Sequence, residues 1–168
     1  MPSHLLAILH SLPPGTGVRT LQRVDIAQQV LGCATSAIVN VYPAVLPNTK
    51  ALSVELSTEV FDQGRELIRR ELDREETSDV LLAYGVQLPT GANRLVFRAQ
   101  LDWIAAELEK SNLRVWLFGG RPSHPSRWHR QVSRERPGST VEATAAEFLV
   151  RHDPERAVGA ASHLAVRS

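Results

Sequence analysis

A single cysteine, Cys33, rules out an internal disulfide framework and any multi-cysteine zinc or iron–sulfur centre, and it reads as a buried inert thiol. No apolar run approaches the roughly 20 residues that a membrane span needs. The first residues also lack a basic region followed by an apolar stretch and a cleavage site. A cytoplasmic protein with no membrane association is therefore expected. Excess charge is missing as well: the net value is +1 over 168 residues. That balance argues against coating nucleic acid through bulk charge and leaves only a local basic patch for phosphate contacts. There is no internal repeat and no low-complexity stretch long enough to be a linker, so no second domain is expected. What remains is ordinary globular composition, 43% hydrophobic and 22% charged, in a length that suits one domain with a full core.

The positive charge is concentrated in one place. Between Arg114 and Arg136, six arginines oppose the single Glu135, which leaves five net positive charges over 23 residues. The segment begins with Val115-Trp116-Leu117-Phe118, a short aromatic run that reads as a buried strand. It leaves that strand through Gly119-Gly120 and enters a loop holding His124-Pro125-Ser126. In open α/β sheets, ligands bind at such loops, beyond the carboxyl ends of the strands.

Elsewhere, strand patterns alternate with helix patterns. Leu5–Leu9 predicts a first strand, and Val18–Leu31 a helix with Leu21, Val24, Ile26, Val30 and Leu31 on its apolar side, ended by Gly32. Ala37–Val41 is a β-branched second strand. Ser53–Asp73 predicts a helix with Val60, Leu67, Ile68 and Leu72 inward and a solvated face of Arg65, Arg69, Arg70 and Arg74 interleaved with glutamates. Asp79–Gly85 is a third strand, Gly91–Lys110 a third helix carrying Phe97, Leu101, Ile104 and Leu108, and Arg114–Phe118 a fourth strand. The order predicts a three-layer αβα fold, a four-stranded, mostly parallel sheet with helices on both faces. Ser139 and Glu142 have the form of a capping box opening a last helix with Val141, Ala145, Phe148 and Leu149 inward. One domain over residues 1–152 is expected, with 153–168 as a tail or short helix.

Several familiar constellations are incomplete. Pro14-Gly15-Thr16-Gly17 lacks the Lys-Ser/Thr ending of a phosphate loop and the full dinucleotide fingerprint, so it reads as a tight turn. His124 and His129 have no neighbouring carboxylate, and no metal or cofactor is expected. Ser126 stands outside a Gly-x-Ser-x-Gly elbow, so serine nucleophile chemistry is not expected. Trp128 beside Arg127 and Arg130 has two readings: a stacking platform for a base, or an anchor fixing the loop to the core.

Four positions at expected strand ends converge: His10, Asn40 with Tyr42, Tyr84-Gly85, and the loop from Gly120 to Arg130. Ala37-Ile38-Val39-Asn40 resembles the strand of uracil-DNA glycosylases that ends in a base-reading asparagine. Val80-Leu81-Leu82-Ala83-Tyr84-Gly85 resembles their later strand ending in Trp-Gly, and His124-Pro125-Ser126 followed by Arg130 resembles their His-Pro-Ser motif. These matches occur in the family's order over about residues 36–136. A closer likeness is to an uncharacterised bacterial family of the same broad fold, carried by Thr20-Leu21-Gln22-Arg23, Asn40-Val41-Tyr42-Pro43 and Pro47-Asn48-Thr49-Lys50-Ala51-Leu52.

The resemblance implies recognition of a nucleobase in DNA, single-stranded or duplex, extending to hydrolysis of its glycosidic bond. In that scheme Asn40 reads the base edge, Tyr42 stacks on it, and Tyr84 and Ser126 complete the substrate pocket. His124 donates a hydrogen bond to the leaving base, and Arg121, Arg127, Trp128 and Arg130 face the nucleic acid. The chain departs from the family where the first strand ends, since His10-Ser11-Leu12-Pro13-Pro14-Gly15 contains no carboxylate to position water. His10 is the local replacement, and Asp25 serves only if its helix begins close to the pocket. The alternatives are a non-catalytic member of the fold that binds nucleic acid or a protein partner, and an enzyme of free nucleotides.

Overall fold

The computed structural model describes residues 2–46 and 56–152. The Pro47–Leu52 segment, the expected helix start at Ser53 and the stretch 153–168 lie outside the described residues. Four apolar runs form parallel strands: β1 (His4–Leu12), β2 (Thr35–Val45), β3 (Thr77–Ala83) and β4 (Arg114–Phe118). Between them lie α1 (Val18–Val30), α2 (Thr58–Leu72) and α3 (Ala92–Glu109). After β4 come a short 3-10 turn at Pro125–Arg127, then α4 (Trp128–Glu135), α5 (Val141–Phe148) and β5 (Leu149–Arg151). The sheet order is β2-β1-β3-β4-β5.

β1 is central and apolar on both sides, as a buried parallel strand must be. Leu5, Ala7 and Leu9 share one core with Val24 and Ala27 of α1, Trp128 and Val132 of α4, and Val141 and Phe148 of α5. Leu6 and Ile8 share the other with Phe61 and Ile68 of α2 and Phe97 and Ile104 of α3. Helices therefore cover both faces of the sheet. In α1 the buried seam is Val24 and Ala27, whereas Leu21 and Val30, expected inward, are exposed. α2 sits unusually close to β2 because Gly64 has no Cβ: one placed there would come within 2.8 Å of the Val41 carbonyl oxygen.

Four expectations need correction. The sheet has five strands, because β5 pairs antiparallel with β4 (Leu117 with Val150, Trp116 with Arg151) and saturates an edge that would otherwise be open. Leu149, expected on the last helix, is the first residue of that strand. The segment 121–136, expected as a loop, contains α4, whose buried Trp128 and Val132 stand at helical i,i+4 spacing. The cap of α5 is Thr140 rather than Ser139: the Thr140 hydroxyl accepts the Ala143 N–H at 3.2 Å, so Glu142 lies in the first turn without completing the expected box.

Candidate functional site

Gly119 and Gly120 turn the chain away from β4 at φ +65° and +73°, values that favour glycine, and a Cβ on Gly119 would collide with Gln131. The following loop is fixed from four sides. Gly85 N–H, just past β3, donates to the Pro122 carbonyl at 2.6 Å. Trp128 Nε1–H donates to the Ser123 carbonyl at 2.9 Å, and Ser123 Oγ–H to Gln131 Oε1 at 3.2 Å. From α1, Arg23 Nη1–H reaches the Pro125 carbonyl at 3.1 Å.

His124 is the product of this clamping. It caps the Pro125–Arg127 turn, and its Nδ1 accepts the Ser126 N–H at 3.3 Å with Ser126 Oγ at 2.9 Å. An N–H can only donate, so Nδ1 carries the lone pair and the proton of the neutral ring sits on Nε2. Burial, reinforced by the charge of Arg127, lowers the His124 pKa from its ordinary value. The ring is thus a neutral donor with Nε2–H uncommitted among the described residues.

His10, at the end of β1, stacks on Phe97 of α3 with ring centroids 4.5 Å apart, and its Nδ1 lies 3.2 Å from Ser11 Oγ. Burial lowers its pKa to about 4, with the neighbouring charge of His124 as the second cause. The structure therefore brings His10 and His124 together, although 114 residues separate them, and keeps both neutral near pH 7.

Asn40 belongs to the opposite side of the sheet. It is the register partner of Leu9, so it faces the α1 core, whereas His10 faces α3. It is 8% exposed, and no described residue makes a hydrogen bond to its amide. Tyr42, expected to stack on a base beside Asn40, is absorbed elsewhere. It is buried on the α2 side, edge-on to Phe61 at 4.9 Å, with its hydroxyl accepting the Ser57 N–H at 3.4 Å. Tyr42 is still in regular register with Ser11, and the shift in pairing comes after it, between Ser11 and Leu12. Tyr84 is half-buried against the α2–α3 core, and burial raises its pKa.

Trp128 resolves in favour of the anchor. It is 0% exposed and lies flat on Phe118, with centroids 4.0 Å apart and ring planes at 5°, so it offers no face to a base. Arg121, Arg127 and Arg130 are exposed, and no carboxylate pairs with them among the described residues, whereas Arg136 pairs with Glu147. Asp25 is exposed in the second turn of α1. Among the described residues no group of histidine, cysteine and carboxylate side chains could hold a metal ion, and no helix is long and apolar enough to cross a membrane. A surface depression along α2, lined by Asp62, Arg65, Glu66, Arg69, Arg70 and Asp73, belongs to the interleaved charges of its solvent face rather than to the strand ends.

Sequence reasoning missed two supports. Arg23 was visible only as part of the Thr20–Arg23 pattern, and its contact with Pro125 spans 102 residues. Phe97 was assigned to the core of its helix, without a signal that its ring would carry His10. What the arrangement offers chemically is a fixed imidazole donor, a second neutral imidazole and an arginine-rich rim, with the Asn40 amide on the other side of the sheet. No protein-family model matches the chain, and neither the curated proteins nor the solved structures contain a significant match to it.

Proposed function

We propose that the protein recognises a nucleobase in DNA on a three-layer scaffold of uracil-DNA glycosylase type, with hydrolysis of the N-glycosidic bond as the chemistry of the site. The observation that carries this reading is His124, whose Nδ1 is occupied by Ser126 N–H so that Nε2–H is left as a donor at the strand ends. In this scheme the base lies against His10 and His124, and Asn40, which faces the α1 core, stands outside that pocket. As the bond from C1′ to the base nitrogen breaks, its electron pair passes to the base, and His124 Nε2–H meets the developing charge. Water adds to C1′ with neutral His10 accepting a hydrogen bond from it, and its proton ends on the departing base. Arg121, Arg127 and Arg130 hold phosphates, offsetting the few kcal/mol that extruding a base costs.

One observation favours a second reading, a binding protein without catalysis. The chain from His10 to Gly17 contains no carboxylate. Losing such a group should slow a glycosylase by about 10² to 10⁴.

Single-turnover base release, read by mass spectrometry from duplexes and single strands carrying different modified bases, separates the two. The expected result is release by the wild type and a loss of about 10² to 10³ in rate for His124→Ala with an unchanged melting curve, while Asn40→Ala, on the other side of the sheet, keeps a rate close to that of the wild type. Binding without release by the wild type would leave the non-catalytic reading. Equal losses of activity and folded fraction in His124→Ala would make the histidine a loop anchor.

A further inference from the structure

Arg23 projects from the second turn of α1, half-buried, and its Nη1–H donates to the Pro125 carbonyl at 3.1 Å. The same oxygen accepts the Trp128 backbone N–H, so both of its lone pairs are used and the Pro125–Arg127 turn is held at its first residue. No carboxylate pairs with Arg23 among the described residues, although a guanidinium is charged at every pH the protein meets. A permanent cation directed at one buried peptide carbonyl, rather than at an acid, is a device for holding a backbone. The backbone it holds is the one whose Ser126 N–H occupies His124 Nδ1 at 3.3 Å.

We propose that Arg23 is a positioning residue for His124: by holding the Pro125 carbonyl it locks the turn that keeps Nδ1 unprotonated and the proton on Nε2. The value of that proton to catalysis rests on the function proposed above, but the state of the imidazole does not. Without the guanidinium the turn is free to rotate its second peptide, Ser126 N–H leaves Nδ1, and the ring loses its reason to prefer one tautomer.

The test is nitrogen-15 NMR of the histidine rings in the full chain, for wild type, Arg23→Ala, Arg23→Gln and Arg23→Lys, with a pH titration and a melting curve for each. The wild type is expected to show His124 as the Nε2–H form with a midpoint below 6.5. Arg23→Ala should give a mixture of the two tautomers and a midpoint moved toward 6.5, with little change in melting. Arg23→Lys, which keeps a charged donor, should restore much of the single tautomer. The tautomer is the deciding readout, because removing a nearby positive charge would raise the midpoint by itself. If Arg23→Ala does not fold, Arg23→Gln is judged by the same signature. A single Nε2–H tautomer in the neutral variants overturns the proposal, as does a change confined to melting. Base release then separates the two ideas. No release by the wild type, with a tautomer that follows Arg23, removes the glycosylase chemistry and keeps the positioning role. Release with a tautomer indifferent to Arg23 does the reverse.

Discussion

The two ends of the sheet treat polar side chains in opposite ways. At the amino ends of the strands Asp79 is 1% exposed and accepts hydrogen bonds from Arg114 Nη2 at 2.7 Å, Trp116 Nε1 at 2.8 Å and Ser78 Oγ at 2.7 Å. Burial alone would raise its pKa, but these donors and the charge of Arg114 outweigh it and bring the carboxyl below its usual value. His4 is also enclosed but only half satisfied: Nδ1 lies 2.7 Å from Thr35 Oγ1, whereas Nε2 faces Glu71 Oε2 at 3.8 Å with no hydrogen bond made by either atom. At the carboxyl ends, among the described residues, the Asn40 amide is unengaged, His124 presents Nε2–H, three arginines stand without acids, and Leu12, Val45, Val86 and Leu95 are exposed. Polar groups that satisfy one another inside the chain contribute stability; polar groups held in place but left unsatisfied are available to a ligand.

The comparison breaks if the amino end proves to matter for binding. Asp79→Asn keeps the shape but sets an NH₂ group against a guanidinium or an indole N–H, and it leaves Arg114 without its buried partner. Breaking a buried pair costs about 3–5 kcal/mol. Because Arg114 is half exposed, about 2–3 kcal/mol is expected here once solvent screening is allowed for. Urea unfolding should register that loss, while ligand binding per folded molecule stays at the wild-type level. A folded Asp79→Asn protein with weakened binding would show that the two ends are not separable.

Acid should sharpen the comparison from the other side. His10 has a folded pKa of about 4 against 6.5 unfolded, so between those values the unfolded chain binds more protons and stability rises with pH. The contribution is therefore complete above pH 6.5 and is lost as pH falls toward 4. Each pKa unit corresponds to 1.36 kcal/mol; allowing for partial solvent access, the loss should be about 2 kcal/mol. His124 and His4 act in the same direction, their pKa values also being lowered chiefly by burial. Asp79 adds to the loss only at lower pH, below its usual carboxylate range. His10→Phe should flatten the slope of unfolding free energy between pH 6.5 and 4. An unchanged slope would mean that His10 is not held neutral by its surroundings.

The frame of the sheet was legible from the chain, because β1 to β4 are short apolar runs separated by helical periods, and Arg114–Phe118 matches its strand residue for residue; the polar network around Asp79 at the amino end was not, since its partners come from different strands. The carboxyl end was legible as a list of residues but not as an arrangement. Which side of the sheet His10 and Asn40 face depends on register between strands, and no single strand encodes it. Tyr42 looked like a pocket residue because it stands two residues after Asn40, yet its ring packs edge-on against Phe61 of α2, a partner that strand pattern does not reveal. α4 was hidden because Trp128 and Val132 are its only buried residues in a run otherwise rich in arginine. β5 is three residues long and owes its existence to the edge of β4, a partner that local pattern cannot reveal.

The smallest effect on stability is expected where the largest effect on binding lies. Arg121, Arg127 and Arg130 are exposed and make no salt bridge within the described chain, so replacing all three with alanine should change unfolding free energy by no more than about 0.5 kcal/mol per site. For a ligand with phosphates the consequence is different in kind. Each phosphate contact releases condensed counterions and adds about 0.9 to the magnitude of the slope of log affinity against log salt on duplex DNA, and about 0.7 on single strands. If all three arginines make such contacts, the triple variant should lose about 2.7 from the duplex slope. Titrations of wild type and variant with duplex and single-stranded DNA, repeated at several salt concentrations, measure it. Arg114→Ala serves as the amino-end counterpart, with weakened folding and an unchanged slope. Should the triple variant keep the wild-type slope, the phosphates are held elsewhere, and the arginine excess around His124 would be a solvated surface rather than the binding rim.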